Sequence, residues 1–225
     1  MTTTRLNKFI AHSAGLSRRE ADDAIALGRV MVNGIRAELG TQVGPDDIVM
    51  LDKTQITEST HYTYIALHKP VGYVCSRRAQ GDTSTIYSLL PADQHNLKAV
   101  GRLDKDSSGI LLLTDDGDFA HSMTHPKFHK TKSYLVTLDA PLAPLHHQMI
   151  NDIGVQLEDG RSQLQLEKMD DDAMSWRITM HEGRNRQIRR TFSALGYTVV
   201  TLHRTQFGPY SLGELQSGKT TTVNP

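Results

Sequence analysis

The sequence predicts an α+β fold: a domain built around a mixed, mainly antiparallel sheet, preceded by a small N-terminal α/β domain. Three observations carry this expectation. Strand-like runs at 64–67, 73–76, 110–114, 134–138, 163–166, 176–180 and 197–202 alternate with loops, with few of the spacings that mark strand–helix–strand units. Residues 1–55 read instead as a small helical module followed by a hairpin. Between the two, KTQITESTH at 53–61 is polar, with no apolar pattern beyond Ile56, which suits a linker. The expected division is a small domain over 1–55, a linker at 56–61 and a larger domain over 62–225.

In the small domain, an apolar-periodic segment at 6–14 stops at Gly15. Ser17-Arg18-Arg19-Glu20 is a capping box, in which the serine hydroxyl and the glutamate carboxylate each accept from a free backbone N–H at a helix start. The helix it opens sets Ala21, Ala24 and Ile25 on one side, and Gly28 suits the left-handed residue beyond its end. Val30-Met31-Val32, Asn33-Gly34 and the chain from Ile35 form a hairpin, because both turn positions need positive φ. A short strand at 48–51 follows the Gly44-Pro45-Asp46 turn. In the larger domain, helices are expected at 83–90, 117–124, 142–152 and 186–195.

Composition narrows the function classes. With 38% apolar and 22% charged residues and no long apolar run, the chain reads as soluble and globular. The beginning, MTTTRLNKF, lacks the apolar stretch of a signal peptide, and a single cysteine, Cys75, rules out an internal disulfide. A cytoplasmic location is expected, with a monomer as the default state. The 25 basic and 25 acidic residues cancel, but they are segregated. Arg184, Arg186, Arg189, Arg190 and Arg204 share the stretch from His181 with one acid, Glu182. Lys127, Lys130 and Lys132 lie in a stretch with none. Such segregation makes either a positive face suited to nucleic acid or a set of ordinary solvated faces.

Three segments can carry chemistry. In Gly101-Arg102-Leu103-Asp104-Lys105-Asp106-Ser107-Ser108-Gly109, a polar loop runs straight into the apolar strand at 110–114. A carboxylate there is partly desolvated yet still reaches substrate, which suits a nucleophile or general base; the alternative is a plain turn with locally bonded aspartates. In the segment from His181 to Phe192, a helix from about Arg186 puts Ile188, Phe192 and Leu195 on one apolar face. Arg186 and Arg190 then face outward, free for phosphates, while Arg189 sits at the flank, able to reach inward to a carboxylate. A solvated basic helix fits the same pattern. In the third segment, Tyr134, Val136 and Leu138 share a strand face close to Lys127, Lys130 and Lys132. That tyrosine either stacks a base beside phosphate-binding lysines or simply packs in the core.

Other chemistries find little here. The spacings His121/His125 and His125/His129 lack an adjacent carboxylate, Pro126 interrupts the second, and a lone cysteine builds no thiolate site, so no metal is expected. There is no P-loop and no G-x-G-x-x-G, which argues against nucleotide hydrolysis and dinucleotide chemistry.

Together these segments resemble the pseudouridine synthase family typified by RsuA, which modifies ribosomal RNA. GRLDKDSSGILLLTDDG resembles that family's catalytic-aspartate motif almost letter for letter. LHKPVGYVCS at 67–76 resembles its first motif, KTKSYLVTL its K-x-Y motif and HEGRNRQIRRTFSALGYTVVTLHR its C-terminal motif. LNKFIAHSAGLSRREADDAIALGRVMVNG resembles the small RNA-binding domain shared with a small-subunit ribosomal protein. No catalytic position departs from the pattern, and the C-terminal extension of some relatives is not expected here.

The resemblance implies a pseudouridine synthase domain over 62–225 with Asp104 as catalytic residue. Tyr134 would stack on the uracil, Ile188 would line its pocket, Arg189 would pair with the Asp104 carboxylate, and Arg102 would lie with the substrate. RNA would be held by Lys132, Arg184, Arg186 and Arg190, and in the small domain by Arg18, Arg19, Arg29 and Arg36. The implied partner is ribosomal RNA or an assembling ribosomal particle, with a large-subunit target favoured over a small-subunit one. The reaction is an isomerisation, so no cofactor is expected. Two other classes compete. A non-catalytic RNA-binding or assembly protein would be favoured by loss of Asp104 or Tyr134, and both are present. A carboxylate glycosidase needs a facing carboxylate pair and sugar-stacking aromatics, and the chain has one tryptophan and no clear second carboxylate.

Overall fold

In the computed structural model, which describes residues 3–57, 61–78 and 81–225, the chain divides into two units, Met1–Tyr62 and Thr63–Pro225. The first comprises β1 (Thr4–Arg5), α1 (Leu6–Ser13), α2 (Arg18–Ala26), β2 (Val30–Val32), β3 (Ile35–Arg36), β4 (Gln42–Val43), β5 (Val49–Leu51) and β6 (Thr54–Ile56). The capping box forms: Ser17 Oγ accepts from Glu20 N at 3.2 Å and Ser17 N donates to Glu20 Oε2 at 2.7 Å. The two helices bury Leu6, Ile10, Ala21, Ala24 and Ile25 against Val30, Val43 and Val49. Asn33 and Gly34 turn between β2 and β3 at φ +53° and +79°.

The stretch read as a linker is partly a strand. β6 pairs with β5, completing the order β3-β2-β5-β6, and Ile56 packs against the small core. The turn that makes this hairpin is Asp52-Lys53, both at positive φ. It carries no glycine or asparagine, so it lacks the residues by which such turns are read. Residues 58–60 of the expected linker lie outside the described residues.

The second unit holds β7 (Tyr64–Lys69), β8 (Lys98–Val100), β9 (Ser108–Thr114), α3 (Gly117–Thr124), β10 (Lys132–Leu138), α4 (Pro144–Gln148), β11 (Val155–Leu157), β12 (Gly160–Ser162), β13 (Gln165–Lys168), β14 (Ser175–Met180), α5 (Gln187–Ser193), β15 (Val199–Phe207), β16 (Tyr210–Ser211) and β17 (Thr220–Thr222). Its sheet runs β13-β14-β10-β15-β9-β7-β17, with β8 on β9 and β16 on β15. Among the described ladders of this sheet only β9–β15 is parallel, so the fold is the expected mixed, mainly antiparallel one. β9 is covered on both faces: Leu111 and Leu113 enter one core, Ile110 and Leu112 the other. Double burial explains why its sequence is a continuous apolar run rather than an alternating one.

Several local expectations change. Residues 73–76 make only an isolated bridge, Val74 to Thr85, and the helix expected at 83–90 is a short 3₁₀ turn, Ile86–Leu89. The helix expected at 142–152 breaks after Gln148 into a π-helical turn, Met149–Ile153, ending at Gly154 with φ +84°. Among the described residues, no helix is long and apolar enough to cross a membrane.

Candidate active site

Residues 101–107 form the loop between β8 and β9, and the surrounding chain clamps it from several directions. Lys69, at the end of β7, is fully buried. Its ammonium donates to the carbonyl oxygens of Asp104 at 2.9 Å, Ser107 at 2.7 Å and Pro70 at 3.0 Å. Burial pushes that ammonium's pKa down, against the pull of nearby Cys75, Asp104 and Asp106. Gly72 N donates to Lys105 O at 2.7 Å. Cys75 Sγ donates to Leu103 O at 3.3 Å and accepts from Leu103 N at 3.4 Å, and burial raises the thiol's pKa. The segment LHKPVGYVCS thus serves as the clamp of the aspartate loop. Gly109 closes the loop's far end. It pairs with Arg204 across the parallel β9–β15 ladder at φ +113°, and a Cβ there would stand 2.1 Å from Arg204 O.

The loop opens into a cavity of about 600 Å³, within the usual size of ligand sites. Tyr134, Ile188, Leu202 and Met180 supply buried apolar wall, while Arg102, Lys132, Arg184, Arg186 and Arg204 supply positive charge. Asp104 lines the same space, its side chain one-third exposed, with Oδ2 3.4 Å from Arg186 Nη1. Asp104, Tyr134, Ile188, Arg102, Lys132, Arg184 and Arg186, all named from sequence, therefore meet at one cavity.

The arginine pairings differ from expectation. Arg189 does not pair with the Asp104 carboxylate. Its Nε lies 3.3 Å from Asp106 Oδ2, its Nη2 donates to Asp106 O at 2.8 Å and its Nη1 to Val199 O at 2.6 Å. Burial lowers its pKa. Arg186 takes the position beside Asp104, and also binds Asp106 through both Nη atoms at 3.2 and 3.1 Å. The cause is local: α5 begins at Gln187, and Arg186 precedes it in the left-handed conformation, φ +46°. That backbone turn sends the side chain toward the loop instead of outward. Burial raises the Asp106 carboxyl, but the Arg186 hydrogen bond and the charges of Arg189 and Arg186 outweigh it, holding the group below the usual range.

Most of the other arginines expected to bind RNA are engaged within the chain. Arg190 Nη2 binds Asp159 Oδ2 at 2.7 Å, and Arg184 Nη1 binds Asp159 Oδ1 at 2.8 Å, with Arg184 Nη2 donating to Arg161 O at 2.9 Å. Asp159, in the turn between β11 and β12, thus anchors both. A buried polar network completes the anchor: Thr191 Oγ1 donates to Ser162 Oγ at 2.8 Å, and Gln187 Nε2 to Ser162 Oγ at 3.1 Å and to Glu182. Lys132 is half-buried, donating to Glu182 O at 3.2 Å. In the small unit, Arg29 is ion-paired with Asp52, Arg36 donates to Ala26 O at 3.3 Å and Arg18 to Asn7 Oδ1 at 3.2 Å, while Arg19 is exposed.

Sequence reading passed over Lys69, Cys75, Asp106 and Arg204 as site residues. A signal existed for Arg204. The strand expected at 197–202 runs on to Phe207, and alternation sets Arg204 on the face of Leu202. Among the described residues, no cluster of three or more His, Cys, Asp or Glu side chains is arranged to hold a metal ion.

Comparison with known proteins agrees with this geometry. Residues 63–194 match the family described as RNA pseudouridylate synthase, and residues 4–49 match the S4 domain. "Ribosomal small subunit pseudouridine synthase A" of Pasteurella multocida is 38% identical over 93% of this chain and 91% of its own length. "Ribosomal large subunit pseudouridine synthase B" of Bacillus subtilis is 33% identical over 98% of this chain and 92% of its own. A solved structure titled "Crystal structure of pseudouridylate synthase" superposes with a TM-score of 0.70 at 36% identity, covering 98% of this chain and 96% of that one. The chain belongs to the RNA pseudouridylate synthase family and carries an S4 domain at its N-terminal end.

Proposed function

We propose that the chain isomerises a uridine of ribosomal RNA to pseudouridine in the cytoplasm, without a cofactor and with Asp104 as the catalytic carboxylate. One observation carries the reading: a clamped, partly exposed aspartate faces a cavity with an apolar wall and a cationic rim. The reaction breaks the N1–C1′ bond, turns the base and joins C5 to C1′. Asp104 takes part by attacking C1′ or by abstracting a ribose proton. The detached base must stay in place, which the buried apolar wall of Tyr134 and Ile188 favours. Tyr134 stacks on the uracil, Arg186 orients Asp104, and Arg189 holds the loop through Asp106. The target uridine leaves its stack to enter, at a cost of a few kcal/mol that backbone contacts offset.

Residues 63–225 form the catalytic domain in this reading, and the S4 unit anchors RNA through phosphate contacts of Arg18 and Arg19. Lys132 and Arg102, at the cavity, add contacts to the target strand. Arg29, Arg184, Arg186 and Arg190 are held in intramolecular ion pairs and serve the fold of the site more than phosphate binding. The related sequences carry the names of both ribosomal subunits, so the large-subunit preference rests on no residue and both RNAs enter the test. Pseudouridine mapping of small- and large-subunit RNA from cells with and without the gene tests the proposal. One position lost with the gene is the expected result, and two identical maps would overturn it.

A further inference from the structure

Arg204 is 2% exposed, lines the cavity that holds Asp104, and makes no ion pair among the described residues. Its Nε donates to Ile110 O at 2.9 Å and its guanidinium carbon lies 4.7 Å from the Phe207 ring centre. Its Nη2 is buried with no hydrogen-bond partner. A buried cation with an idle donor and no counter-charge is costly, so a fold that keeps one at a cavity is built for what enters that cavity. Register says where along the cavity the charge lies. Arg204 is the direct partner of Tyr134 in the antiparallel β10–β15 ladder, so both side chains leave the sheet on the same face, side by side. Rim arginines such as Arg102 and Arg186 are exposed enough to meet phosphate. Arg204, buried beside the proposed stacking residue, is set to meet the base.

We infer that Arg204 is a catalytic residue that holds the negative charge of the detached uracil ring. The inference rests on the pseudouridine reading above. When the C1′–N1 bond breaks, its electron pair leaves with the base, and the resulting uracil anion spreads charge over N1 and the two carbonyl oxygens. Both routes open to Asp104 produce that anion. After the base turns, the electron pair at C5 forms the new bond to C1′ as the Asp104–C1′ ester bond breaks, or, on the other route, as the abstracted proton returns from Asp104 to the ribose. The C5 proton is then lost, N1 gains a proton, and the charge disappears. A fixed, buried cation stabilises the charged intermediate far more than the neutral substrate, which is the condition for accelerating the step.

The test compares wild type with Arg204→Gln and Arg204→Lys in single-turnover reactions. The substrates are ribosomal RNA transcripts made with uridine or with 5-fluorouridine. Mass spectrometry of the digest quantifies the C-linked nucleoside, which on the fluorinated base keeps fluorine at C5 and takes up water across C6 and N1 in place of losing a C5 proton. Fluorine makes the base a better leaving group, so the reaction should depend less on Arg204. On uridine RNA, Arg204→Gln is expected to lose about 100-fold in rate, the scale for removing one preorganised donor, with RNA affinity little changed. On 5-fluorouridine RNA the loss should shrink to about tenfold or less. Arg204→Lys should lose less than Gln on uridine RNA and show the same narrowing, which keeps the test open if the Gln variant does not fold. Equal losses on both RNAs would mean a structural role, and unchanged rates would mean none; either overturns the inference. Wild type inactive on uridine RNA would overturn the underlying reading, and the inference with it.

Discussion

Lys69 Nζ donates to the carbonyl oxygen of Asp104 at 2.9 Å, from a side chain with no exposed surface. The same ammonium binds Ser107 O and Pro70 O, so three main-chain oxygens around the aspartate depend on one buried charge. Lys69→Met should leave those carbonyls unpaired at a cost of about 3 kcal/mol in urea unfolding. Single-turnover rate should also fall at least about tenfold under conditions where the variant remains folded, because the loop is no longer held. Wild-type stability in Lys69→Met would refute the clamp.

Gly109 admits no side chain. Its φ of +113° and the 2.1 Å approach of Arg204 O to a hypothetical Cβ both penalise alanine, and the obstacle is backbone. Gly109→Ala should destabilise by more than about 3 kcal/mol or abolish soluble expression, as thermal unfolding would report.

Arg18 and Arg19 open α2 on the exposed surface of the S4 unit. Replacing both with alanine should weaken RNA binding and flatten its dependence on salt, because fewer counterions are released. The single-turnover rate at saturating enzyme should remain near that of wild type. A collapse of that rate would refute the division of labour between the two units.

Asp106 gives a pH signature. Burial raises its carboxyl, but Arg186 and Arg189 outweigh that and hold it below the ordinary carboxylate range. A depressed folded pKa contributes stability above the unfolded value, about 3.9, and loses it as pH falls through the folded value. Urea midpoints of the wild type should therefore decline on acidification below about pH 4 more steeply than those of Asp106→Asn. Parallel declines would remove Asp106 from the ion-pair cluster.

The capping box, the Asn33-Gly34 hairpin and α3 were legible because each is set by local chemistry within a few residues. Asp104 and Tyr134 were legible through motif and strand alternation. What stayed hidden depends on contacts distant in sequence or on unusual backbone. Lys69 looks like a surface lysine until three carbonyls from two loops converge on it. Arg186 reads as an outward helix residue unless its positive φ is known, and that one angle exchanges its role with the one expected of Arg189. β17 reads as a polar run of threonines, and pairs only because β7 presents a free edge.

The most direct test is tritium release from RNA carrying 5-tritiated uridine, comparing wild type with Asp104→Asn at equal folded concentration. Forming the C5–C1′ bond expels the C5 hydrogen, so each turnover releases one tritium. Release by wild type and none by a folded Asp104→Asn is the expected result. Equal release by both, or none by wild type on either ribosomal RNA, naked or in particles, would contradict it.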